Sequence, residues 1–251
     1  MIRAFLLLLL TALPCAAEQI VAGLSQDRIG ITARFDGSTI LIYGAVKRDA
    51  PEPTGPKLEV IVTLEGPSIP VTIRHKSRES GIWVNTQAVG VAASPSYYAV
   101  ASTGALESIL SNDEDVRQRI SIPLAIRAFS GPITVEDVRP FTEAMLRIRE
   151  AEGLYQIDQD GVKLVDDTLF RADFDLPANL TEGNYKARIF LLRGGVVIDQ
   201  YRAAIPVHKV GLERWLFALS REQPAIYGVM SLALAVFAGW AAAALFRLIR
   251  N

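Results

Sequence analysis

From Pro224 to Phe246 the chain carries no charged residue over 23 consecutive positions. Nothing else in the sequence restricts its fold so strongly. A helix of that length spans roughly 35 Å, enough to cross the hydrocarbon core of a bilayer. Glu222 and Arg247 bracket the stretch, and a buried core helix is the competing reading. Tyr227 and Trp240 fall where interfacial aromatics are favoured, with Arg247 and Arg250 beyond them as charged anchors. Gly228, Ser231, Ala235, Gly239, Ala242 and Ala243 are small enough for close helix packing within the membrane.

The other end carries a second export-related pattern. Arg3 is followed by the uncharged run Ala4 to Ala17, apolar from Phe5 to Leu13 and small before Glu18. This predicts a signal peptide over 1–17, with cleavage after Ala17. The only cysteine, Cys15, lies inside it, so the exported chain has no thiol for disulfide, metal or nucleophile chemistry. Lys209, Arg214 and Arg221 precede the span while Arg247 and Arg250 follow it, so positive charge does not decide orientation. The export signal does. It places the bulk of the chain in the periplasm of a bacterial inner-membrane protein, with 247–251 as a cytoplasmic tail.

Between the ends lies an ordinary globular composition. The 26 Lys and Arg nearly balance the 27 Asp and Glu, giving a net charge of -1. That leaves no basic field for nucleic acid. Half the residues are hydrophobic, which excludes disorder.

Short β-rich runs separated by turn signals fill Gln19 to about Ala101, and Asp36-Gly37-Ser38 reads as a hairpin turn between two of them. Pro70 to His75 and Ile82 to Asn85 read as two further short strands. Val138, Phe141, Met145 and Ile148 recur at helical spacing, which predicts a helix over Val138 to Glu152 stopped by Gly153. Strands resume at Leu154 to Ile157, Leu169 to Leu176, Tyr185 to Leu192 and Val196 to Val207, with Gly194-Gly195 closing a hairpin. Leu180-Thr181-Glu182-Gly183-Asn184-Tyr185 has the form of a tyrosine corner, in which the hydroxyl bonds back to nearby backbone.

The fold expected is mainly β. It is an Ig-like β-sandwich, one elaborated or two small ones, with a short helical insertion and a C-terminal transmembrane helix. The organisation expected is a β-rich domain over 18–128, a helical interlude over 129–153, and Ig-like strands over 154–210. A juxtamembrane amphipathic helix over 211–223 follows, with Trp215 on its apolar side, and then the span over 224–246.

Reactive groups are few. His75 and His208 stand apart, without Cys, Asp or Glu at ligand spacing. No nucleophile elbow, P-loop or dinucleotide fingerprint occurs. Asp158-Gln159-Asp160-Gly161 lacks the twelfth-position glutamate of a calcium loop, since Leu169 stands there. No cofactor and no catalytic residue is expected. The candidate recognition residues are aromatic: Trp83 with Asn85 in Gly81-Ile82-Trp83-Val84-Asn85, and Tyr97 with Tyr98 in Pro95-Ser96-Tyr97-Tyr98, with core packing as the alternative.

Several stretches together resemble one family. They are Val21-Ala22-Gly23-Leu24-Ser25, the Trp83 strand, Pro95-Ser96-Tyr97-Tyr98-Ala99, Arg147 to Tyr155, and Val210-Gly211-Leu212-Glu213-Arg214-Trp215 leading into the span. The chain is similar over nearly its whole length to the alphaproteobacterial transmembrane protein family Alph_Pro_TM. The resemblance implies a membrane anchor and no defined activity. Because members are encoded beside sulfite-exporter-type permeases, it also implies an accessory role. The expected partners are the lipid bilayer and an integral membrane permease. A loop-built periplasmic hydrolase and a structural cell-envelope protein are the alternatives.

Overall fold

The computed structural model describes residues 18–32, 35–49, 51, 53, 55–130, 135, 137–209 and 212–249. The expected signal peptide over 1–17 and Arg250 lie outside them. Residues 18–29 and 36–207 belong to one compact unit, and 30–35 and 208–251 to a second.

Strands dominate the described residues up to Lys209. They are β1 (Glu18–Leu24), β2 (Ile29–Ile31), β3 (Ser38–Arg48), β4 (Leu58–Glu65), β5 (Ser68–Glu79), β6 (Ile82–Pro95) and β7 (Tyr98–Ser102). Three short helices follow, α1 (Leu106–Ile109), α2 (Asn112–Gln118) and α3 (Ile122–Ala125), then β8 (Arg127–Ser130) and α4 (Arg139–Ala151). The remaining strands are β9 (Tyr155–Gln159), β10 (Val162–Val165), β11 (Leu169–Leu176), β12 (Gly183–Arg193) and β13 (Val196–Lys209). The sheets are ordered β1–β3–β11–β10, β2–β13–β12–β4–β7–β9 and β5–β6–β8.

Alternation explains the four-stranded sheet. In β11, Phe170, Ala172, Phe174 and Leu176 are buried while the residues between them are exposed. They pair with β3 so that Phe174 faces Ile40 and Ala172 faces Ile42, both fully buried. Gly44 opposes Phe170, and a side chain there would collide with that ring and with the Val21 carbonyl. The six-stranded sheet contributes Val60, Val62 and Leu64 of β4 and Tyr185, Ala187, Ile189 and Leu191 of β12 to the core. Each fully buried large apolar side chain stabilises by about 1.5–3 kcal/mol.

β4 is buried on both faces and β12 from Ile189 to Leu192, and the backbone at and after the end of α2 bonds to side chains of β7 and β12. The Tyr98 hydroxyl donates to the Ile120 carbonyl at 2.8 Å, and Arg188 donates to the Gln118 carbonyl at 2.8 Å. α2 is capped by the Ser111 hydroxyl, which accepts from Glu114 N–H. α4 spans 139–151 with Pro140 in its first turn, and Gly153 follows it with φ +69°. Gly194 and Gly195, with φ of +58° and +82°, close the β12–β13 hairpin in the conformation a two-residue turn requires.

The N-terminal strand is fastened by a buried ion cluster. Glu18 accepts from Arg48 at 2.7 Å and from Arg193 at 2.9 Å, and all three side chains are largely buried. Arg48 also donates to the Asp167 carbonyl and Arg193 to that of Pro56. The Arg193 guanidinium, helped by Arg48, holds the Glu18 carboxyl below its ordinary range.

Two local expectations are corrected, and one strand is added. Asp36-Gly37-Ser38 is not a hairpin turn: β3 takes β1 as its neighbour, from Glu18 opposite Arg48 to Leu24 opposite Ile42, while β2 joins the other sheet. β2 is only three residues long with Ile29 its one buried residue, too little to hold the edge of β3. The short strands at Pro70–His75 and Ile82–Asn85 are parts of one hairpin, β5–β6, of 12 and 14 residues. β10, where the sequence marks no strand, pairs with β11 from Val162 opposite Ala172 to Val165 opposite Leu169.

Candidate interaction surface and membrane helix

The β5–β6 hairpin turns at Ser80 and Gly81, both at positive φ (+51° and +88°). Two consecutive positive values give the turn that matches strand twist, and Gly81 supplies one of them without strain. Residues directly opposite one another share a face. Arg78 opposes Trp83, Lys76 opposes Asn85 and Arg74 opposes Ala88. Thr86 is the extra residue that shifts the register between His75 and Lys76, and its hydroxyl lies 2.6 Å from that of Ser77.

One face of the outer hairpin therefore presents Arg74, Lys76, Arg78, Trp83 and Asn85. All five are exposed, Trp83 at 68%. Ile82 beside the turn is 64% exposed. The opposite face is held at its base: Ile73, Val89, Phe141 and Val138 pack together, and the His75 ring meets that of Phe141 edge-on at 6.4 Å. An open groove of about 330 Å³ runs between β5 and α4, lined by Val71, Ile73, Arg74, Met145, Ile148 and Arg149 among others.

The four candidate recognition residues separate. Trp83 and Asn85 are exposed on the hairpin. Tyr97 and Tyr98 are fully buried and offer no surface. Tyr97, in the turn before β7, donates its hydroxyl to the Asp175 carbonyl of β11 at 3.0 Å, linking the two large sheets. The Tyr98 hydroxyl accepts from Arg188 at 3.0 Å while donating to Ile120. Burial pushes the Tyr98 hydroxyl up to about 12 and raises that of Tyr97 further. An aromatic pair beside a turn is core here, and both hydroxyls find backbone partners.

Sequence reasoning passed over Arg74, Lys76 and Arg78. Their signal is the alternation Arg-His-Lys-Ser-Arg, which marks one strand face only once a long hairpin is recognised.

In the second unit, α5 (Leu212–Glu222) and α6 (Pro224–Ile249) follow one another, with Gln223 N–H bonded to Leu219 and Tyr227 N–H to the Gln223 carbonyl. Trp215 and Phe217 of α5 are exposed, and the Arg221 guanidinium lies 5.3 Å from the Phe217 ring centre. Within α6, Pro224–Ala243 are 20 residues of mean hydropathy 1.8, none of that apolar window buried among the described residues. Tyr227 sits in its first turn and Trp240 near its far end, the latter 6.1 Å from Phe237. Arg247 falls in the last turn. A helix of 26 residues is about 39 Å long, sufficient to span a bilayer. Among the described residues no group of three or more His, Cys, Asp or Glu is placed to hold a metal ion.

Residues 19–248 match the family described as "Putative transmembrane protein (Alph_Pro_TM)". The chain belongs to that family. A search of curated proteins finds no match. In this Alph_Pro_TM protein the family description and the exposed apolar helix agree on a membrane protein, and its remaining mass is mainly β.

Proposed function

We propose that this protein is a single-pass inner-membrane protein whose periplasmic Ig-like sandwich serves as a non-enzymatic accessory or binding module for a membrane partner. The partner class favoured by the family resemblance is a sulfite-exporter-type permease.

The sandwich reading is supported by strand order. β1–β3–β11–β10 corresponds to A–B–E–D of an Ig-like domain, and β13–β12–β4–β7 to G–F–C–C′. On that reading β12 is strand F. The Tyr185 hydroxyl at its start donates to the Thr181 carbonyl at 3.0 Å, as a tyrosine corner requires. Both sheets combine strands from 18–128 with strands from 154–210, which favours one elaborated sandwich over two small ones.

The observation that carries the functional reading is α6. Its apolar window has no covering partner among the described residues, so lipid or another membrane helix is left to cover it. The test is a mild-detergent pull-down of the full-length protein from its native membrane, beside a version whose 224–246 are replaced by an unrelated single-pass helix. The reading expects a permease to co-purify with the first and to be weakened or lost with the second. Recovery of no membrane partner with either protein overturns the accessory role.

A further inference from the structure

We propose that the β5–β6 hairpin is a second membrane contact, docking against anionic phospholipid headgroups. Trp83 enters the interfacial region from the face it shares with Arg74, Lys76 and Arg78, which meet the phosphates. The inference rests on the anchored reading above and adds a site to it.

The chemistry is written in the strand register. The three cations occupy alternate positions of β5 and so share one face, with Trp83 directly opposite Arg78. None of the three has an ion-pair partner among the described residues. From Ile69 to Val100 the only carboxylate is Glu79, and its position opposite Ile82 puts it on the other face; Glu152, which lines the groove with Arg74, lies 3.9 Å from Arg149. A chain of net charge -1 thus concentrates positive charge on one projecting face.

Protection of an open edge strand accounts for part of this pattern, since Pro70 and the cations all discourage strand pairing along β5. It does not account for Trp83, which is 68% exposed on the same face as the cations, while Ile82 shares the other face with Glu79. An exposed tryptophan on a cationic strand face fits a bilayer interface: Trp is favoured there, and anionic headgroups attract Lys and Arg. The occupant is always at hand, because a chain tethered by α6 meets the bilayer at high local concentration.

The test uses the full-length protein reconstituted in vesicles whose acyl chains carry bromine, a quencher of indole fluorescence. Two variants each keep one tryptophan: Trp215→Phe with Trp240→Phe leaves Trp83, and Trp83→Phe with Trp215→Phe leaves Trp240. In phosphatidylglycerol vesicles both tryptophans are expected to be quenched. The Trp83 quenching should fall roughly threefold or more in purely zwitterionic vesicles and at high salt, as screening predicts. It should fall equally in the Arg74→Gln, Lys76→Gln, Arg78→Gln triple variant, whose exposed side chains leave the circular dichroism unchanged. Trp240 quenching should not vary. Trp83 unquenched beside a quenched Trp240 overturns the docking and leaves the anchor intact. If Trp240 is also unquenched, the anchored reading fails and this inference with it. Trp83 shielded only when solubilised membrane proteins are added assigns the hairpin to a protein partner and also overturns the lipid proposal.

Discussion

Single residues divide into those that hold the sheets together and those left facing outwards. Tyr185 is legible in both roles, sequence and structure: the Gly183-x-Tyr185 step predicts the back-bond, and the hydroxyl makes it to Thr181. Tyr185→Phe leaves that carbonyl without its donor and should cost about 1–2 kcal/mol, measured by denaturant unfolding of the detergent-solubilised protein. Glu18 is the opposite case. Its partners Arg48 and Arg193 stand 30 and 175 positions away, and no local pattern announces them. Glu18→Ala strands two largely buried guanidinium groups and should cost about 3–5 kcal/mol in the same measurement. Because the folded carboxyl titrates below its ordinary value of 4.5, its stabilisation is present above that pH. It is lost as the pH falls through the depressed folded value, as the unfolded carboxyl binds its proton first. Unfolding midpoints followed through the acid range should therefore drop more steeply for the native protein than for Glu18→Ala.

Elements were readable wherever one periodicity ran uninterrupted between clear stops. β11 alternates perfectly and its bounds follow from sequence. α4 repeats at three and four and ends before Gly153. The hairpin β5–β6 was not readable as a unit, because its outer half faces solvent on both sides and loses the alternation that marks a half-buried strand. For the same reason the candidate surface was only partly found: Trp83 and Asn85 were recognised, while the three cations opposite that strand were not. Two predictions belong at this scale. Trp83→Ala, which removes an exposed side chain, should change the unfolding free energy by less than about 0.5 kcal/mol, measured by denaturant unfolding. Leu234→Arg places a charge in the middle of α6, where insertion costs roughly 2.5–3.5 kcal/mol. It should move a substantial fraction of the protein from the membrane pellet to the supernatant after alkaline extraction.

At the scale of the whole molecule, local pattern gave the ingredients and pairing gave the arrangement. Sequence predicts β material on both sides of a helix, but the partnering of β3 with β11 and of β4 with β12 joins residues more than a hundred positions apart. The two tyrosines read as surface candidates belong to that arrangement, since Tyr97 reaches β11 and Tyr98 reaches the segment after α2. The central claim is that a folded β-domain stands on the periplasmic side of a single C-terminal span. It is tested most directly by cysteine accessibility in intact cells with a permeabilised outer membrane. In a Cys15→Ala background, one variant carries Glu107→Cys, an exposed position of α1, and another Asn251→Cys. A maleimide that does not cross the inner membrane should label the first in intact cells and the second only after lysis. Labelling of Asn251→Cys without lysis, or of Glu107→Cys only after it, would contradict the account.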